Sequence, residues 1–383
     1  MSTPTSAENL EGATGKLVYG EPPLPSSSPE SISPSQDTNN NTGFLLTNDH
    51  SRWTVSAEAI ILDRIGGADR TLVERVPGTV SFSKVPDTPG VQALNSNDFH
   101  HGFSTGPKIG VIYHGDSGFD LQSSYFQVDS GSSTQAIGPD NPANWLVMRA
   151  PGGFYQTQDF TYQAMQWDYS TKLYNAEFNA HRKLSDHVAM LAGFRWLQLK
   201  ENLQGTLPPS DRTEPLWKLN SDSTLVDVAR FETHQGIPVT SGFPPFWNTS
   251  TTNNLYGLQI GAEGKIFERG RFSIGGLMVG GGYLNHAEES TGVSIFKVVR
   301  PSSASSNTLA FLGEAGLHCD YQVTNGLSLK VGYQAIWIDG VALAPGQIQE
   351  TYTTLPDTVS SLGVNTSSSV LYHGGTVGLK YVF

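Results

Sequence analysis

The chain has 383 residues, with 23 Lys plus Arg against 35 Asp plus Glu and a formal net charge of -12. Charged residues make up only 15%, well under the roughly 25% of ordinary soluble domains, and the acidic balance without Lys or Arg clusters excludes nucleic acid as a main partner. No run approaches the roughly 20 apolar residues of a membrane helix, and the single Cys319 excludes an intrachain disulfide framework.

Residues 1–48 include PPLPSSSPESISPSQDTNNNTG, too poor in large apolar groups to offset its ordering entropy by burial. They predict a flexible arm ahead of a folded domain over 49–383. The opening MSTPTSAENLEG lacks the basic and apolar regions of a secretory leader. Either the protein is not exported, or this is a form whose leader has been removed; Met1 does not decide between a processed and a recombinant form.

From Trp53 onward, apolar and polar residues alternate in about ten segments longer than the five or six residues usual for a soluble strand. RWTVSAEAII places Trp53, Val55, Ala57, Ala59 and Ile61 on one face and Glu58 on the other. GPKIGVIYHG aligns Ile109, Val111 and Tyr113, and FDLQSSYFQV aligns Phe119, Leu121 and Tyr125. TKLYNAEFNAHRKL sets Tyr174, Ala176, Phe178 and Ala180 against Asn175, Glu177 and Asn179. In VAMLAGFRWLQL the row Val188, Met190, Ala192, Phe194 and Trp196 opposes Arg195, with Leu191 and Leu197 blurring the contrast. NLYGLQIGAE groups Tyr256, Leu258, Ile260 and Ala262 opposite Gln259 and Glu263, whereas the glycines of RFSIGGLMVGGGYL leave its faces unseparated. TLAFLGEAGLHCDYQV sets Leu309, Phe311, Ala315, Leu317, Cys319 and Tyr321 against Glu314, His318 and Asp320. LSLKVGYQAIW sets Leu327, Leu329, Val331, Tyr333, Ala335 and Trp337 against Lys330 and Gln334, and GTVGLKYVF sets Val377, Leu379, Tyr381 and Phe383 against Lys380.

The connections alternate as well. Short turns at 115–118, 184–187, 267–271 and 323–326 take turns with long loops at about 65–104, 129–164, 203–251, 290–306 and 340–367. A soluble sandwich would show shorter strands and no strict succession of loop lengths. The pattern predicts an all-β chain forming a closed antiparallel transmembrane β-barrel of about ten strands, with short periplasmic turns and long extracellular loops. TLVERVPGTVSF and TLVDVARFET could add strands outside the bilayer, so a count of about eight to twelve stays open. An even count puts both termini on the periplasmic side, and closure makes the last strand pair with the first. Leu379, Tyr381 and Phe383 are therefore expected to form a membrane-facing closing seam and assembly signal. Trp53, Tyr333, Trp337 and Tyr381 suit the aromatic girdles at the two interfaces.

WTVSAEAIILDR, YNAEFNAHRKLSDHVAMLAGFRWLQLKENL and NNLYGLQIGAE resemble segments of a planctomycete family of outer-membrane barrels, β-barrel porin type seven, from about residue 51 to the end. The resemblance implies an outer-membrane location, outer-membrane lipid as surroundings and a porin-like role. The terminal aromatic on an alternating strand also resembles the signal read by the barrel-assembly machinery, an expected partner.

Two readings of function follow. One is a narrow pore for ions or small solutes. The other is a structural or surface-interaction barrel with a closed lumen, whose long loops bind envelope or surface-layer partners or other copies. Alternation lines the lumen with Glu58, Glu177, Arg195, Gln259, Glu263, Glu314, Lys330, Gln334 and Lys380. Buried charges are costly unless paired or wet, so Arg195 is expected to bridge two or more of Glu58, Glu177 and Glu314 in a narrow interior, with extracellular loops folded over its mouth. Asp320 and Lys330 are expected to pair across the hairpin at 323–326, a contribution of roughly 0.2–1 kcal/mol. His318 and Asp320 could form a general-base dyad, but they lie near the periplasmic end, away from a surface substrate. His100, His101 and Asp98 lack metal-ligand spacing and are expected to be solvated in a loop. No Walker loop, zinc spacing or nucleophile elbow is present, and GGLMVGGG lies inside a strand. The expectation is a barrel that is not an enzyme and carries no cofactor or metal.

Overall fold

A computed structural model describes residues 52–77, 79, 88–115, 118–138, 144–148, 161–162, 164–206, 217–219, 225–227, 245–295, 298–354 and 358–383. The arm expected over 1–48 lies outside the described residues.

Ten strands close into a barrel: β1 Trp53–Ile65, β2 Ser104–His114, β3 Phe119–Ile137, β4 Met165–Lys183, β5 Val188–Thr206, β6 Trp247–Arg269, β7 Phe272–Ile295, β8 Val298–Gln322, β9 Leu327–Val341 and β10 Ser368–Val382. Each pairs antiparallel with its neighbours in sequence, and β1 pairs with β10 in the register Val55↔Tyr381 and Ala57↔Leu379. The seam is stitched to its last residue: Trp53 N donates to Phe383 O at 3.1 Å and Phe383 N to Trp53 O at 3.0 Å. Closure of this kind leaves no strand edge facing lipid.

The tall strands change their apolar face partway along. In β5 the outward row Val188, Met190, Ala192, Phe194 and Trp196 gives way to Gln198, Lys200, Asn202 and Gln204, while the inward row passes from Gly193 and Arg195 to Leu197, Leu199 and Leu203. β4 does the same between inward Trp167, Tyr169 and Leu173 and outward Ala176, Phe178 and Ala180. β6 switches between inward Leu255 and outward Tyr256, Leu258 and Ile260. Below the switch the outside meets lipid, so apolar groups face out and the lumen is polar. Above it the outside meets water, and the apolar groups turn inward as they do in a soluble barrel.

Two expected loop boundaries are corrected by this extension. The loop expected over 290–306 is a continuation of the β7–β8 ladder, which runs to Ile295↔Val298. Its serines and Pro301 made the segment read as a loop, but a strand outside the bilayer needs no apolar outer row. Pro301 is tolerated because β8 pairs with β9 only from Phe311 onward, leaving Val298–Ala310 paired on one side. β3 likewise continues to Ile137 rather than ending near 129.

The remaining elements form a cap on the extracellular end. There are a sheet in the order Val91–Asn95, Thr71–Val76, Trp145–Val147, Thr161–Tyr162 and two separate short hairpins, Trp217–Leu219 with Leu225–Asp227 and Thr351–Thr354 with Thr358–Ser361. Thus TLVERV and LVD do form strands, outside the ten-stranded wall. A 3-10 helix, Ala344–Glu350, has Pro345 in its first turn and buries Ala344 to Ile348. Cap and upper wall share one core that includes Leu72, Val73, Phe99, Leu146, Trp167, Leu203, Trp247 and Ile348.

Candidate functional site

The interior is crossed at two successive levels above a polar chamber. Nearest the periplasm, a cavity of about 120 Å³ is lined by Glu58, Lys108, Glu263, His318, Lys330 and Gln334 among others. Lys330 Nζ pairs with Glu58 Oε1 at 3.0 Å, and Lys108 Nζ donates to Gln334 Oε1 at 3.0 Å. Glycine makes the first pair reachable. Glu58 and Lys330 both lie opposite Gly378, one on each side of β10, and a Cβ there would stand 2.6 Å from Glu58 Cγ.

The expected pair between Asp320 and Lys330 is corrected. The two residues do face each other across β8 and β9, yet Asp320 Oδ2 pairs with Lys380 Nζ at 3.0 Å, and Lys330 turns to Glu58. Lys330 reaches Glu58 over Gly378, and Asp320, left without it, reaches past β9 to the long Lys380 side chain on β10. His318 Nε2 is 3.9 Å from Asp320 Oδ2, beyond hydrogen-bond distance, so no dyad is assembled there.

Above the chamber a polar belt crosses the lumen. Arg195 Nη2 lies 2.6 Å from Glu177 Oε1 and 2.5 Å from Glu314 Oε2. Glu177 also accepts from Asn175 Nδ2 at 2.8 Å, Asn179 Nδ2 at 3.1 Å and Gln259 Nε2 at 3.0 Å, and Tyr283 OH donates to Gln259 Oε1 at 3.1 Å. Gly257, in the row between Arg195 and Tyr283, leaves room for that ring: its Cβ would stand 2.6 Å from Tyr283 Cδ1. Saturating the carboxylates in this way is what makes a buried pair tolerable. Glu58 is not part of the belt.

The second level is apolar. Ile60, Leu62, Leu197, Leu199, Leu255, Leu312, Ile336 and Ile338 are at most 2% exposed and pack into one cluster across the lumen. The cap is then latched from below. Arg64 Nε and Nη2 donate to Glu201 Oε1 at 3.0 and 2.6 Å, while Tyr169 OH at 2.6 Å and Ala344 N at 3.0 Å donate to Glu201 Oε2. Asn253 exchanges hydrogen bonds of 2.7 Å with both backbone groups of Ala342, and Asn285 Nδ2 donates to Gly340 O at 3.0 Å.

All nine residues expected in the lumen sit on inward rows, and Glu263 approaches His181 Nδ1 at 3.6 Å. Sequence reasoning missed Lys108, which lies opposite the Ile109 row and was legible by parity. It also missed the apolar plug, whose signal is the change of phase in each strand. The expectation of a solvated His101 is corrected: the residue is buried, edge-on to Tyr169 at 4.7 Å, while His100 and Asp98 are exposed as expected. Burial, then the neighbouring Arg64 and His100, push the His101 imidazole down to about 3. Among the described residues no group of three or more His, Cys, Asp or Glu is placed to hold a metal ion.

Residues 159–383 match the model of a family described as Putative beta barrel porin-7. No curated protein matches the chain. Among solved structures, the outer membrane protease OmpT from Escherichia coli aligns over 89% of this chain and 100% of its own, at 11% identity and a TM-score of 0.46. The translocator domain of autotransporter NalP from Neisseria meningitidis covers 87% and 89%, at 9% identity and a TM-score of 0.34. The toluene transporter TbuX from Ralstonia pickettii covers 87% and 89%, at 10% identity and 0.30. Likenesses of this size carry no activity over to the chain.

Proposed function

The chain belongs to the beta barrel porin-7 family of outer-membrane barrels, and we propose that this member keeps its lumen shut and acts through its extracellular cap, as a structural or surface-interaction barrel. The observation that carries this reading is the apolar cluster of Ile60, Leu62, Leu197, Leu199, Leu312 and Ile338, which fills the lumen above the Arg195 belt. A hydrated pore needs polar walls along its whole length. Here a solute entering from outside would have to displace the Ala344–Glu350 helix, the Glu201 latch and this cluster in turn.

The polar chamber favours a second reading. Glu58, Lys108, Lys330 and Gln334 would suit the lower half of a narrow pore for ions or small solutes, were the cap to move aside. Planar-bilayer recording separates the two. The closed reading expects the folded wild-type barrel to be silent. A variant in which residues 344–350 are replaced by a short Gly-Ser linker should stay near-silent too, because the cluster beneath persists. Steady unitary openings of the wild type support the pore instead.

A further inference from the structure

The turn end of the barrel carries the opposite sign to the chain as a whole, whose net charge is -12. Among the described residues there, Arg52, Arg182, Lys183, Arg269 and Arg271 are exposed cations, against Asp186 and a Glu268 already paired with Lys265 at 2.7 Å. These cations accompany aromatic rings. Arg182 continues the outward row of Phe178 and Ala180, and its guanidinium lies 5.4 Å from the ring centre of the exposed Phe119. Arg269 and Arg271 bracket the turn between Phe267 and Phe272, exposed rings 6.3 Å apart. Arg52 precedes Trp53, whose ring is 4.9 Å from that of Tyr113.

Aromatic girdles mark the bilayer interface, so these guanidinium groups stand at the depth of the lipid headgroups. Arginine offers a planar fork of donors matched to phosphate oxygens. We infer that this rim binds the phosphates of anionic phospholipids in the periplasmic leaflet of the outer membrane. The inference depends on the barrel and its orientation, and is independent of whether the lumen conducts. An acidic cell-wall polymer would be met by cations directed away from the bilayer, whereas Arg182 is laid along the lipid face over Phe119.

The test uses the full chain in nanodiscs of phosphatidylcholine with about one part in ten phosphatidylglycerol, and counts the lipids retained after detergent extraction by mass spectrometry. Phosphatidylglycerol should be enriched over phosphatidylcholine in the retained shell. The enrichment should fall about fivefold for each of Arg182→Gln, Arg269→Gln and Arg271→Gln, the scale of one cation at an anionic surface. It should vanish when extraction is done in about 0.5 M salt. Lys172→Gln and Lys200→Gln, outward cations at the far edge of the apolar band, should leave it unchanged. The variant combining all three substitutions should show no enrichment; heat-modifiable mobility checks folding of each variant, and should the triple variant not fold, Arg182→Gln alone and the salt response decide. Absence of enrichment in the wild type, or enrichment that survives loss of the arginines, overturns the inference. So does arginine-dependent sedimentation with cell-wall sacculi in the absence of lipid enrichment.

Discussion

Arg195 holds two carboxylates at once, and removing it would leave Glu177 and Glu314 charged, buried and facing each other. Breaking a buried pair costs about 3–5 kcal/mol, so Arg195→Ala should lower the denaturant midpoint by that scale, with Arg195→Lys falling between because it keeps the charge on a side chain of different reach and shape. An unchanged midpoint for Arg195→Ala would show that the belt is not structural. His101 gives a pH dependence. Its folded pKa, about 3, lies below the 6.5 of an unperturbed histidine, so the unfolded chain binds the extra proton. The neutral-ring contribution is complete above about 6.5 and is lost as pH falls toward 3, at up to roughly 1.4 kcal/mol per pH unit. Midpoints measured from pH 7 to 4 should therefore fall less steeply for His101→Leu than for the wild type. Arg195 and its acidic neighbours were legible because period-two parity assigns a face to each residue. The choice of partner was not: Glu58 reaches Lys330 over Gly378, which leaves Asp320 to Lys380, and parity is blind to both.

β10 closes the barrel, and its last residues carry the closure. Phe383 shares two backbone hydrogen bonds with Trp53 and stacks on Tyr381 at 5.9 Å. Deleting Phe383, or Phe383→Asp, should lower the yield of heat-modifiable, membrane-inserted barrel; normal yield would count against the seam as an assembly signal. Higher in the same strand, Gly378→Val would drive a side chain against the β1 backbone at Ala57 O and Glu58 Cα as well as Glu58 Cγ, and part the Glu58–Lys330 pair. Overpacking of this kind costs typically 1–3 kcal/mol, visible as a lower melting temperature in detergent. Strand order, turn positions and the pairing of the last strand with the first were readable because lipid imposes one rule on every outward side chain. The upper wall was not, because above the bilayer the rule reverses. Leu197 and Leu199 disturb the pattern of β5 only if a single rule is assumed, and the Ser-rich stretch of β8 looks like a loop only if strands are assumed to stop at the membrane.

At the scale of the described barrel, one wall passes through two environments end to end. The membrane part is apolar outside and polar within; the extracellular part is polar outside and packed within, sealed by the cap. This inversion is what fills the upper lumen with apolar side chains: each buried leucine there contributes roughly 1.5–3 kcal/mol by leaving water, so on the closed reading opening a channel would mean exposing the whole cluster together. Cysteine accessibility tests the closure most directly. In a Cys319→Ser background, which removes the native thiol on the outward row of β8, Leu199→Cys and Gln334→Cys are each exposed to a small charged methanethiosulfonate reagent added to one side of a reconstituted bilayer. The closed barrel predicts no labelling of Leu199→Cys from either side, and labelling of Gln334→Cys from the turn side alone. Rapid labelling of Leu199→Cys, or labelling of Gln334→Cys from the cap side, would mean that the lumen is open.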